Sequence, residues 1–441
     1  MEGPLPKGII PGGIVPGGPE PDTSLVPTPE PHSEPEKDPA YGWVMVWVCF
    51  LLGALAFGIL GSVGVFLKPL VAEFGWSRGE TSFGYSMLAF SSAIMGVAWG
   101  YVADRYGTER LIMAGVFAMV ISLLGLSHLT ELWHFYAAYF LFGAVAFSTF
   151  MGPLFGNVGH WFKRNPGMAM GIAAAGGALG QGVIPFIVRL LITEYDWRTA
   201  YFILAVTYLI LAVPLAHLVR DPPSRKLAQS NAPVQLDPRY PLRSTEIMAW
   251  ICIAVVFCCI CMAVPIVHIV PLISDRGVSP ETAASVLLVL MLAGVFGRIA
   301  GGKFADKLGP LPTFMLASAG QAILVVWFPH VESMAGVYVL AVAFGFCYSA
   351  DMISILTCMR LMTPVHMAGR ALGLGAAFGM VGMGLGGYLG GVLFDLQGNY
   401  DWAFTTAGLA GGVNFLILIG LTLRLKMARR SMAQTQTTTG G

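Results

Sequence analysis

The sequence predicts an all-α transmembrane protein of twelve spans arranged as two six-helix bundles, and three observations carry that prediction. Of the 441 residues 56% are hydrophobic and only 11% charged, with a mean hydropathy of +0.72. A soluble chain carries about a quarter charged residues. The apolar residues fall into blocks of about 20, nearly free of charge, and at ~1.5 Å per residue each can cross a hydrocarbon core ~30 Å thick. Finally, the chain matches itself when displaced by 202 residues. In lipid, backbone groups find partners only inside helices or closed barrels, so the blocks read as helices.

In chain order, residues 1–40 are rich in Pro, Gly and acids and cannot bury enough surface to order themselves, so a disordered cytoplasmic tail is expected. Spans are expected at 43–67, 81–102, 111–129, 134–158, 167–191 and 199–219, making an N-terminal bundle over 41–219. A polar linker, 220–245, leads to spans at 247–272, 281–302, 312–329, 334–357, 369–393 and 402–423, a C-terminal bundle over 246–426. A cytoplasmic tail, 427–441, closes the chain. The repeat lays "GYVADRYG" (100–107) over "GKFADKLG" (302–309) and "GMAMGIAAAGG" (167–177) over "GRALGLGAAFG" (369–379). Repeats of this length, six spans each, are typical of secondary transporters, whose ligand site lies near the midplane between the halves.

The net charge of +1 says nothing about partners, but its distribution does. With both termini on one side, that side holds 17 Lys and Arg residues beyond the N-terminal tail and the opposite side 5. The positive-inside rule then puts both termini in the cytoplasm. The seven cysteines sit in or beside apolar spans without metal-ligand spacing, and read as small buried hydrophobes. No P-loop, H-E-x-x-H or nucleophile elbow is present, so neither an enzyme nor a cofactor or metal site is expected.

"GYVADRYGTER", between the second and third spans, resembles the loop signature of the major facilitator superfamily, and "GGKFADKLGP" is its second-half echo. Within that superfamily, "DPAYGW" (38–43) and "WFKRNPGMAMGIAAAGGALG" (161–180) resemble the two signatures of the monocarboxylate transporters. Asp38, Gly42, Trp43, Phe162, Ala169, Gly171, Ala173, Ala175, Gly176 and Gly180 match, while Glu109 stands where the loop signature has a base. The resemblance implies the twelve-helix major facilitator fold. It also implies a conformational role for Gly100, Asp104, Arg105, Gly107, Arg110, Asp306, Lys307 and Gly309. In it Asp104 would cap the eleventh helix, and the glycines would let the second and eleventh helices approach closely.

One residue stands out inside the apolar blocks. Arg298 lies in "AGVFGRIAGGKFADKLGP", eight residues before Asp306. A cation at membrane depth is unfavourable by about 2.5–3.5 kcal/mol even on insertion scales. The repeat places Gly96 at the equivalent position, so the fold does not require it. Its guanidinium suits a substrate carboxylate, held through two parallel hydrogen bonds, and the resemblance implies a carboxylate-binding arginine at this position. Asp351, which maps onto Thr149, is the second half-specific charge, nearly level with Arg298. The two are expected to meet in the cavity and to form a proton-coupling pair, with His268 as the other proton-handling candidate and Tyr348 as a substrate hydrogen-bonding group. The relatives' usual partners are absent, Gly294 and Gly61 standing in their places.

The expected activity is transport of a small monocarboxylate, an organic anion of lactate or pyruvate type, with H+ by symport and alternating access. The protein is expected to act as a monomer in the lipid bilayer of the plasma membrane, a bacterial inner membrane, with no nucleic-acid partner. The alternatives are a major facilitator of aromatic acids, dicarboxylates, vitamins or drugs, or a non-transporting membrane sensor. Drug/proton antiporters carry Gly-Pro-x-x-Gly-Gly in the fifth span, where this chain reads "GGALGQGVIP".

Overall fold

A computed structural model of the protein describes residues 39–162, 166–221, 240–363 and 367–439. The proposed N-terminal tail up to residue 38, most of the linker and the side chain of Asp104 lie outside the described residues. Twelve helical crossings follow one another. The first bundle holds α1 (Ala40–Phe74), α2 (Arg78–Tyr106), α3 (Thr108–Ser127), α4 (starting as Leu132–Leu141), α5 (Pro166–Glu194) and α6 (Trp197–His217). The second holds α7 (Ser244–Ser274), α8 (Pro280–Leu308), α9 (Pro310–Val325), α10 (Met334–Leu361), α11 (Ala368–Gln397) and α12 (Asp401–Thr439). Eleven of the twelve are long and apolar enough to cross a membrane, and α9, with 16 residues, is the short one.

The repeat is visible in the helix starts. Those of α2, α3, α4 and α5 recur in α8, α9, α10 and α11 after 202 residues. Related signals end related helices. Gly107 and Gly309 close α2 and α8 at φ +86° and +93°, a region that glycine alone enters without steric penalty. Ser77 caps α2 in a reciprocal box with Glu80, and Ser279 caps α8 ahead of Pro280.

The helices mostly run past the expected spans, and three elements depart in ways of their own. The span expected to reach 329 ends at Val325, and Arg276 binds the carbonyls of Phe328, Pro329 and Val331 in the turn beyond it. Helix α12 runs on to Thr439, past the expected limit at 426, because neither Gly nor Pro interrupts residues 421–439. Helix α4 continues through π-helical turns at Phe142–Phe147 and Phe150–Leu154 into Phe155–Trp161. The widened turns frame Ala144, whose carbonyl accepts from Trp99 Nε1 at 2.6 Å. Its repeat partner α10 is regular.

Small residues set the spacing inside each bundle. A Cβ on Gly176 or Gly180 of α5 would lie 2.0 Å from the carbonyl oxygens of Phe50 and Ala54 on α1. On α8, Gly294, Gly297 and Gly301 press against Ser349, Phe346 and Ala350 of α10 in the same way. The two stretches that resemble monocarboxylate-transporter signatures also meet. Gly42 lies against Phe162, Trp43 packs edge-on to Phe162, and Tyr41 packs on Trp161. Asn157 bonds both Trp161 and Asp221.

The bundles join along two main seams, α2 with α11 and α5 with α8, and α1 lies against α7 between them, Gly64 on the Val267 carbonyl. At the face away from the loop signatures both seams are closed by polar contacts. Arg78 makes a bidentate pair with Asp275, which Lys68 also contacts at 2.9 Å. The Asp395 carboxylate accepts the backbone N–H groups of Arg78 and Gly79, and Glu281 takes Arg189 and Thr193. Every side-chain cation here comes from the first bundle and every anion from the second. Further along, Gly384 and Gly387 abut Phe90 and Tyr85, and Gly182 abuts Met291.

Toward the signature face the seams part. Gly96, Gly171, Gly302 and Gly373 each lie eleven residues, about three helical turns, beyond Tyr85, Gly182, Met291 and Gly384 on the same stripes. A Cβ at any of the four would meet nothing within 4 Å. Gly100 faces the same open space, so the expected close approach of α2 and α11 is made at the opposite end, by the glycines of α11.

Candidate functional site

Arg298 sits where the α5–α8 seam ends. The glycines of α8 face α10, and the next position round the helix turns toward α5. There Arg298 Nη1 donates to the carbonyl of Ala174, while its buried Nε has no partner. Tyr348 on α10 is buried and donates to Gln181 Oε1 on α5 at 3.3 Å. Gln181 is 1% exposed, and its Nε2 has no acceptor. Tyr85 on α2, fully buried beside Gly387, has an unpartnered hydroxyl. These groups come from both bundles. The unfilled positions of Arg298, Gln181 and Tyr85 are an Nε–H, an amide N–H and an O–H. A buried polar atom without a partner is unfavourable by about 1–3 kcal/mol, so a ligand offering acceptor oxygens is what the cluster lacks.

Asp351 is not part of this cluster, which corrects the expected Arg298–Asp351 pair. Its carboxylate, 0% exposed, is turned about 60° from Tyr348 into the second bundle, where Oδ2 accepts from Cys258 Sγ of α7 at 3.1 Å. The reason is angular. Helix α10 presents Tyr348 to α5, and the face toward α8 is filled by Phe346, Ser349 and Ala350, so Asp351 is left facing α7. Its first-half equivalent, Thr149, is satisfied within its own helix by the Ala146 carbonyl.

His268 is also remote. It is fully buried, with Nε2 2.8 Å from the Gly387 carbonyl and Nδ1 3.4 Å from the Tyr400 hydroxyl. Since a carbonyl only accepts, Nε2 carries the proton. Tyr400 in turn accepts from Arg78 at 2.8 Å, which ties His268 into the closed face of the seam. Around it, burial would raise the Asp275 carboxyl, but hydrogen bonds from Arg78 and Lys68 outweigh that and hold it below the usual carboxylate range.

In the loop signatures, Arg105, Arg110, Asp306 and Lys307 are exposed. The seven cysteines are free, six of them buried. Among the described residues no cluster of His, Cys, Asp and Glu has a metal-binding arrangement. Sequence reasoning missed Gln181 and Tyr85. Gln181 had one signal, as the single amide in the span 167–191.

Twelve crossings in two repeat-related bundles, with a buried donor-rich cluster between them, define a helical membrane transporter. The sequence matches the Major Facilitator Superfamily over residues 46–375, and the chain belongs to that family. It is 28% identical over 399 residues to monocarboxylate transporter 13 of Bos taurus, covering 87% of this chain and 90% of the relative. It is 27% identical over 428 residues to monocarboxylate transporter 11 of Homo sapiens, covering 91% and 87%. A similarity of 27% also extends over 341 residues, 75% and 74% of the two chains, to MFS-type transporter 1 of Ophiocordyceps sp. (strain BCC 1869).

Among solved structures, a variant of the nucleoside transporter NupG superposes with a TM-score of 0.69 at 14% identity, over 87% of this chain and 99% of that one. A bacterial homologue of the human lysosomal transporter Spinster, in an inward-facing and unoccupied conformation, gives 0.64 at 15%, over 90% and 99%. The protein is a major facilitator transporter resembling the monocarboxylate branch, not an enzyme.

Proposed function

We propose that the protein carries a small monocarboxylate across the plasma membrane with a proton, by alternating access. The observation that supports this reading is the donor-only cluster. The Arg298 guanidinium keeps an unfilled N–H, and Gln181 and Tyr85 add neutral donors. A carboxylate supplies acceptor oxygens and the compensating charge together. Tyr348 orients Gln181 across the bundle interface, so binding is sensed by both halves. The basic signature face is assigned to the cytoplasm, which makes the described state inward-facing, with Arg298 at the inner end of the closed seam. Asp351 is the coupling residue in this reading, and His268 is the second candidate.

The test uses proteoliposomes and labelled lactate. An inward acid gradient drives accumulation, and Arg298→Ala lowers uptake by about a hundredfold or more, the equivalent of losing a charge-assisted hydrogen-bonded pair. The variant's elution on size exclusion confirms that it is folded. Undiminished uptake by Arg298→Ala overturns the assignment. Loss of wild-type lactate uptake to competition by larger aromatic acids alone points to the wider organic-acid class.

A further inference from the structure

Apart from the hydroxyls of Ser82 and Ser349, the unpartnered buried side-chain atoms among the described residues fall into two groups of different character. Those of Arg298, Gln181 and Tyr85 are donors. Within the second bundle the side chains of Asp351, Gln321 and Asn414 each leave an oxygen without a partner: Oδ1, Oε1 and Oδ1. Asp351 and Gln321 share a neighbour. Cys258 Sγ donates to Asp351 Oδ2 at 3.1 Å and accepts from Gln321 Nε2 at 3.3 Å. The two free oxygens therefore belong to side chains that converge on one sulfur from α9 and α10.

Among the described residues no cation pairs with this carboxylate. The titratable groups that feel it are thiols: Cys258, Cys259 and Cys261 from α7, and Cys347 and Cys358 from α10 itself, of which Cys258 alone is hydrogen-bonded to it. Helices α8 and α9 bring no cation to it: Arg298 turns to α5, and α9 contributes the neutral Gln321. An isolated buried carboxylate is among the least favourable arrangements in a protein interior, and such a group takes up a proton instead. Two unpartnered acceptors on side chains that share one sulfur are both satisfied by a single hydrogen held between them.

We propose that Asp351 is an uncharged acid in this conformation and that its proton is shared with Gln321 Oε1, in a site inside the second bundle that borders the anion cluster through Tyr348. The site takes H+ where the interface takes the carboxylate. The two sites adjoin on α10, which carries Tyr348 and Asp351 three residues and about 60° apart and is pressed onto α8, the bearer of Arg298, by Gly294, Gly297 and Gly301. Proton release leaves an unbalanced anion behind that helix pair, and this is the force that would move it. The coupling role rests on the symport reading, whereas the protonation does not.

Infrared difference spectroscopy of the detergent-purified full chain at neutral pH, without substrate, tests the protonation. The wild type is expected to show a carboxylic-acid carbonyl band that disappears in the isosteric variant Asp351→Asn. The band is expected to move to higher frequency in Gln321→Leu, or in Gln321→Met should the leucine variant fail to fold, because the acid loses its acceptor. A carboxylate signature for Asp351 at neutral pH overturns the proposal, including the case of a water-bridged anion. An unmoved band in the Gln321 variants overturns the shared proton. In proteoliposomes, Gln321→Leu is expected to lower the pH midpoint of lactate uptake by about one unit, the equivalent of one hydrogen bond lost from the neutral acid. An unchanged midpoint counts against Asp351 as the coupling site. Failure of lactate as a substrate leaves the infrared result standing, so the two readings fall separately.

Discussion

The two ends of the same seams are built by different rules. At the far face, cations and N–H groups of the first bundle meet carboxylates of the second: Lys68, Arg78 and Arg189 with Asp275 and Glu281, and the start of α2 with Asp395. At the signature face the same helical stripes carry glycines that touch nothing. The difference teaches that closure at the far face is held by directional polar contacts that can be broken one at a time. The signature end has the small residues that would allow contact, without making it in this state. Arg298 lies between the two regimes.

The largest break in this comparison is expected from Arg78→Ala, which removes the pair with Asp275, the hydrogen bond to Tyr400 and the cation stacked on Phe394 at 3.7 Å. With a cysteine introduced at the fully buried Ser82 as reporter, labelling by a hydrophilic maleimide is expected to rise about tenfold or more. Acid offers the same test without mutation. The Asp275 carboxyl is held below its ordinary range, so its contribution is complete above that range and disappears only as pH falls through the lowered value. Labelling should therefore stay low through mild acid and rise only in strong acid.

A smaller effect is expected from Asp395→Ala. It uncaps the first two N–H groups of α2 while Ser77 keeps its own box with Glu80. Loss of a cap is worth about 1 kcal/mol, so the same reporter should respond about fivefold. The smallest is expected from Gly100→Ala, whose added carbon meets nothing within 4 Å. The melting temperature and far-face labelling should be unchanged. Slower lactate turnover in that variant would show that Gly100 is packed in the opposite conformation, which sharpens the contrast between the two ends.

The helices and their repeat were legible because they depend on short-range pattern. Apolar blocks of spanning length, capping serines and terminal glycines act locally, and the repeat carries them into both halves at one spacing. Arg298 was legible for a related reason, since a cation inside an apolar helix is an anomaly that composition alone exposes. Gln181, Tyr85 and Gln321 were not, because neutral polar residues are common in such helices. Only their unpartnered atoms, visible once neighbours are known, distinguish them. The pairing of Arg298 with Asp351 failed on direction. Depth along a helix follows from residue count, but the side a residue faces depends on which neighbours the helix has.

By itself, then, the amino-acid sequence determined twelve crossings, their division into two related bundles, and an arginine set deep in an apolar span. The tertiary structure decided which end of the seams is closed, which donors join that guanidinium, and that the acid on α10 faces a thiol and an amide instead of a cation. Burial and partner choice arise from contacts between helices far apart in the chain, and a difference of about 100° in facing direction, one residue along a helix, is enough to exchange one partner for another.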